Sequence, residues 1–151
     1  AELLGELPKE SPFFYLMETA RNLCLVLEKK ADLGREIRLA YSQEDKETLQ
    51  EIANIKIPVL LQRLQDFYQS FRTQWNLENK SFGFEVQTVR IGGLLQRLKD
   101  VQEILNAYLR EEIPGIAELN EPQKAFHYFE QNEIRSLNYN LWTDIVSPSK
   151  I

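Results

Sequence analysis

Apolar residues recur along most of this chain at three- and four-residue steps, the spacing that lines up one face of an α-helix. The first stripe runs through Phe13, Leu16, Ala20, Leu23 and Leu27, with Met17, Cys24 and Ala31 beside it. Ser11-Pro12 marks its start: a hydroxyl to cap the free amides, then a proline suited to the first helical position. Asp32 to Gly34 predicts a break or bend, after which Ile37, Leu39 and Tyr41 close the segment. A second helix is expected after Ser42, where Glu44, Asp45 and Glu47 suit the positive end of a helix dipole. Its stripe is Leu49, Ala53, Ile57, Leu60, Leu64, Phe67 and Phe71, reaching Trp75. Pro58 lies inside that stripe. Without an N–H, and crowding the preceding turn, it predicts a kink or local break near Ile55 to Ile57.

Asn76 to Gly83 reads as a loop before a third long helix. There Leu94, Leu98, Val101, Leu105 and Tyr108 step by four, three, four and three, a heptad-like seam suited to antiparallel packing. Ile113-Pro114-Gly115 ends the helix and Asn120-Glu121-Pro122 extends the loop. From residue 123 the character changes to aromatics and asparagines, including Phe126, His127, Tyr128, Phe129, Asn138, Tyr139, Asn140 and Trp142. Ser136 to Val146 is expected to form one more short helix, ended by Pro148. Strand alternation and internal repeats are missing. The predicted fold is all-α, a bundle of three long helices with an aromatic-rich C-terminal tail or short helix. Its organisation is a connector over 1–10 and a helical unit over 11–151.

At 151 residues and 43 % hydrophobic, the chain has enough apolar material for one core. The charged fraction of 27 % and net charge of −5 give no basic footprint, so nucleic acid is not an expected partner. No apolar run approaches the ~20 residues of a membrane span, so neither is a bilayer. Cys24 is the only cysteine, which rules out an internal disulfide and a cysteine-rich metal site. Among Leu23, Leu25, Val26 and Leu27 it reads as a small core hydrophobe. A single cysteine fits a reducing compartment, and a cytoplasmic location is expected. The abrupt start at Ala1-Glu2-Leu3-Leu4 reads as a fragment or a processed chain.

Catalytic chemistry has little to work with. His127 is the only histidine and sits in an aromatic cluster, so a nucleophile–base pair has no clear base and a zinc site lacks ligands. The neighbouring carboxylates Glu44-Asp45 and Glu111-Glu112 point in different directions on a helix and read as solvated end charges. Gly92-Gly93 is followed by Leu94-Leu95 rather than by the lysine and hydroxyl of a phosphate loop. No catalytic residue, metal or cofactor is expected. The glycine pair, costly in a helix at about 1 kcal/mol per glycine relative to alanine, reads first as a close helix-to-helix approach inside the bundle. It reads second as a flat surface on which another domain's backbone docks. Trp75 and the Phe82-Gly83-Phe84 trio read as a cap on the helical core or as a cover for part of a sugar site, and Trp142 carries the same two readings.

The run from Asn79 to Leu98, NKSFGFEVQTVRIGGLLQRL, resembles the hallmark segment of the C-terminal helical domain in a subgroup of bacterial family 20 glycoside hydrolases, the β-N-acetylhexosaminidases. Tyr139 to Ser149, YNLWTDIVSPS, is similar to the Y-N-x-W-x-x-I-V ending of those enzymes. The likeness covers the second half of the chain well and the first half mainly in helical pattern. It implies a parent enzyme with a small α/β domain and a catalytic (β/α)₈ barrel, cleaving terminal N-acetylhexosamines by substrate-assisted retention. The Asp-Glu pair that such a barrel carries is not found anywhere in this sequence. The resemblance therefore implies a non-catalytic domain that packs on the barrel of the same polypeptide and supports a homodimer. Trp75, Phe82, Phe84, Glu85, Arg90 and Trp142 are the candidates for its docking face or substrate rim. The alternative is a free-standing helical module for protein interaction or dimerisation.

Overall fold

The apolar stripes become six α-helices and one wide π turn among residues 10–121, the part of the chain that the computed structural model describes. They are α1 (Phe14–Lys30), α2 (Leu33–Ser42), α3 (Lys46–Glu51), the π turn (Ile52–Lys56), α4 (Ile57–Glu78), α5 (Phe84–Leu109) and α6 (Ala117–Asn120). Because α1 with α2, and α3 with the π turn and α4, follow one another almost without interruption, the architecture is the expected all-α bundle of three long rods. The first rod packs along α4, and α5 packs across α3, the π turn and α4. The expected tail helix over Ser136–Val146, together with His127 and Trp142, lies outside the described residues.

The core forms where the three rods meet. Leu49, Ala53, Ile57 and Leu60 are fully buried along the second rod, and Ile37 and Ala40 of α2 with Leu98 and Leu105 of α5 close around them. Burying a side chain of this size is worth about 1.5–3 kcal/mol, so this line supplies most of the cohesion. Tyr41 adds a polar clasp at one end: its hydroxyl donates to Asn120 Oδ1 at 2.8 Å and accepts from the Ile116 amide at 3.0 Å. Its ring lies 5.2 Å from that of Tyr108. Gly115 sits under this clasp, where a Cβ would come within 3.0 Å of the Tyr41 hydroxyl.

Pro58 produces the predicted break, and the break has a definite form. The Ile57 amide reaches back to the Ile52 carbonyl, one residue further than in an α-helix. In that register the Ala53 carbonyl would require an N–H from residue 58, which proline does not have. Ala53 is fully buried, so water cannot substitute. Gln102 of α5 supplies the donor, its Nε2 lying 2.8 Å from the Ala53 carbonyl.

Both α2 and α5 end in the same way. Glu44 (φ 55°) and Glu111 (φ 61°) take the left-handed conformation usual for glycine. The following amides close six-residue loops, Asp45 to Ala40 and Glu112 to Ala107, each at 2.9 Å. Lys46 joins the two ends through Glu111 at 2.8 Å. Asp45 then caps α3, its Oδ1 accepting from the Thr48 amide at 3.0 Å. The second helix therefore starts at Lys46 with Asp45 as its cap, after Ser42 as expected.

In the first rod, the structure corrects three expectations. Ser11 does not cap α1; Ser11 to Phe13 form a turn, and the helix begins at Phe14 without a side-chain cap. The face of α1 that meets α4 carries Tyr15, Thr19, Asn22 and Val26. Asn22 donates to Ser70 Oγ at 3.1 Å, and Arg63 donates to the Leu25 carbonyl at 2.6 Å. The stripe of Leu23 and Leu27, with Phe13 before it, is exposed instead. Cys24 is exposed with them rather than buried in the core.

Candidate functional site

The loop between α4 and α5 gathers four of the six candidate residues. Gly83 turns the chain there with φ +99°, a conformation that L side chains rarely adopt. A Cβ at Gly83 would lie 3.3 Å from Trp75 Cζ2. The indole beside it is fixed, donating from Nε1 to the Lys80 carbonyl at 2.9 Å. Phe84 is only 6 % exposed; its ring packs 5.8 Å from Trp75, 5.5 Å from Phe71 and 5.6 Å from Tyr68. The opposite result holds for Phe82, which is 85 % exposed at the tip of the same loop. Glu85 reaches back to accept from the Gly83 amide at 2.7 Å, covering one of the free donors at the start of α5. Arg90 is half-buried one and a half turns further on. Trp142 lies outside the described residues.

Phe84 and Trp75 thus brace the turn from inside, and the surface is carried by Phe82. Two residues that the sequence reading passed over extend that surface. Val86 and Val89 are exposed at 40 % and 56 %, and with Gly93 they step by three and four along one face of α5, just beyond the exposed Phe82 of the loop. The buried seam of α5 drew attention away from this second, shorter stripe. It was readable in the same periodicity.

The glycine pair continues the face and overturns the close-approach reading. A Cβ on Gly92 or Gly93 would meet nothing within 4 Å, and both residues are exposed. No helix of the described bundle approaches them. The result is a flat, side-chain-free step on α5 next to an apolar ridge.

Loss of solvent, reinforced by the Glu78 carboxylate that it donates to at 3.1 Å, pushes the Tyr15 hydroxyl above its ordinary range. Further along α1, the Lys29 ammonium and then Arg63 hold the Glu28 carboxyl below the usual carboxylate range. No base and nucleophile converge at the α4–α5 turn. Among the described residues no group of three or more His, Cys, Asp or Glu side chains could hold a metal ion, and no helix is long and apolar enough to cross a membrane. What the arrangement offers is a rigid aromatic turn presenting an apolar ridge: a surface for contact.

The comparison with curated proteins returns no match. The family model described as the glycoside hydrolase 20C C-terminal domain matches residues 2–138, which includes the whole described bundle. The chain belongs to the glycoside hydrolase 20C C-terminal domain family.

Proposed function

We propose that this chain is the non-catalytic helical domain of an exo-β-N-acetylhexosaminidase, whose catalytic barrel hydrolyses terminal β-linked N-acetylglucosamine or N-acetylgalactosamine. The observation that carries the reading is the match of the C-terminal domain model to residues 2–138. In this reading the domain packs on the barrel through the α4–α5 turn, with Phe82, Val86 and Val89 entering the interface and the open glycine step admitting a close backbone. Trp75, Phe84 and Glu85 hold that turn in shape, and Arg90 borders it. Interfaces between domains of one chain commonly cover about 600–1,500 Å², more than this ridge alone, so further contacts are part of the proposal. The exposed single thiol fits a reducing compartment, and we assign the parent enzyme to the cytoplasm.

The same ridge would suit a second copy of the chain, which makes homodimer support the other arm of the reading. The test is hydrolysis of a chromogenic N-acetyl-β-glucosaminide by the product of the complete reading frame and by this 151-residue chain, with sedimentation mass measured on both. Activity in the complete product and none in the short chain is the expected result. Inactivity in both overturns the hexosaminidase reading and brings forward the free-standing interaction module.

A further inference from the structure

A groove of about 430 Å³ opens between α2, α5 and the Ile113–Leu119 segment. Ile37 forms its floor, and Val101, Ile104, Ile113 and Leu119 form its walls. These four wall residues pack against the core and yet remain only half-buried. The groove is therefore an edge of the core without a cover. Its walls are tied in place, by an ion pair between Arg97 and Glu118 and by the Tyr41 clasp on Ile116 and Asn120.

We propose that this groove seats the C-terminal segment of the same chain, residues 137–146. The described chain leaves from α6, which is itself a wall of the groove, and residues 122–151 follow. Within them Leu137, Leu141 and Ile145 recur every four residues, with Trp142 beside Leu141, the pattern of a one-sided apolar helix face. Such a face requires a matching apolar surface, and the groove supplies one of the right character. Asp144 is the only charged residue of the segment, and Arg97 lines the groove. The family match continues to residue 138, past the last wall of the groove. The connection of fifteen residues, 122 to 136, spans up to about 50 Å when extended. It permits a return to a groove that begins beside its first residue, at an effective concentration in the millimolar range.

Cysteine pairing in the full 151-residue chain tests this. Cys24→Ser with Ile104→Cys and Leu141→Cys places one thiol in the groove and one on the segment. A reference chain carries Cys24→Ser, Val89→Cys and Leu141→Cys. Under mild oxidation the groove pair is expected to close within one chain about tenfold faster than the reference pair, an advantage lost in urea. Equal rates in the two chains, or a disulfide that joins two copies, overturn the proposal. Amide hydrogen exchange on the unsubstituted chain provides the second measurement. Protection across residues 137–146 is expected, and complete exchange at the first time point also overturns it.

Discussion

Replacing Gln102 by leucine should destabilise the bundle through a single orphaned carbonyl. The π register leaves Ala53 O without a backbone donor because residue 58 is proline, and Gln102 Nε2 at 2.8 Å is the donor in its place. Leucine keeps most of the volume and removes the N–H. Leaving a buried acceptor unsatisfied costs about 1–3 kcal/mol, and the full burial of Ala53 favours the upper half of that range. For a chain of this size each kcal/mol lowers the thermal midpoint by about 3–6 °C, a fall easily followed by far-UV circular dichroism. Packing loss at position 102 could mimic the effect, and Pro58→Ala separates the two causes. With alanine at 58 the N–H returns and can serve Ala53 O directly. The cost of Gln102→Leu should then drop, giving a coupling of about 1–2 kcal/mol in the double-mutant cycle. If the two substitutions add to within about 0.5 kcal/mol, the hydrogen bond is not what holds the turn, and the account of Pro58 fails.

The glycines of the α4–α5 region provide a contrast in sign. Gly83→Ala forces a left-handed alanine against the fixed Trp75 ring and is expected to cost about 2 kcal/mol. By contrast Gly92→Ala and Gly93→Ala enter open space on a helix and are each expected to gain up to about 1 kcal/mol. Denaturant titration of the three variants checks both signs, and a loss at either residue of the pair would contradict its open surroundings. Asp45→Ala tests the cap of α3. Thr48 side-chain and backbone bonds lower the Asp45 carboxyl below its ordinary value in the fold, so its contribution is present above the unfolded value and disappears as pH falls through the folded one. The variant should melt lower than the parent at neutral pH, and the gap should close below about pH 4; a gap that persists in stronger acid argues against the cap.

The second and third rods were legible because their apolar stripes are also their buried faces. Leu49 to Leu64 and Leu98 with Leu105 sit in the core on the spacing that the sequence displays. In α1 the stripe at Leu23 and Leu27 was a poor guide, since the packed line through Thr19, Asn22 and Val26 lies one position away, a rotation of about 100°. Apolar periodicity cannot register a contact made of an asparagine, a serine and an arginine. Cys24 was misplaced by the same rotation. At the candidate site, Trp75, Phe82 and Phe84 stood out as aromatics around a glycine and Glu85 came with the family resemblance, but composition does not say which ring faces inward. That was decided by the positive φ of Gly83, which sends Phe82 out and Phe84 in. The glycine pair misled for a related reason: a missing side chain signals closeness to something without saying that the neighbour belongs to the same bundle.

The Tyr41 clasp imposes an order on synthesis. The polar contacts between the first rod and α4 span 35 to 63 residues, from Glu28–Arg63 to Tyr15–Glu78, and can close once α4 has emerged from the ribosome. The bonds of the Tyr41 hydroxyl span 75 and 79 residues and must wait for Ile116 and Asn120. Until then, the nascent bundle is without the wall that Ile116 contributes, and the apolar side of α2 around Ile37 faces solvent uncovered. The last few residues of the described chain close the core that the earlier ones began.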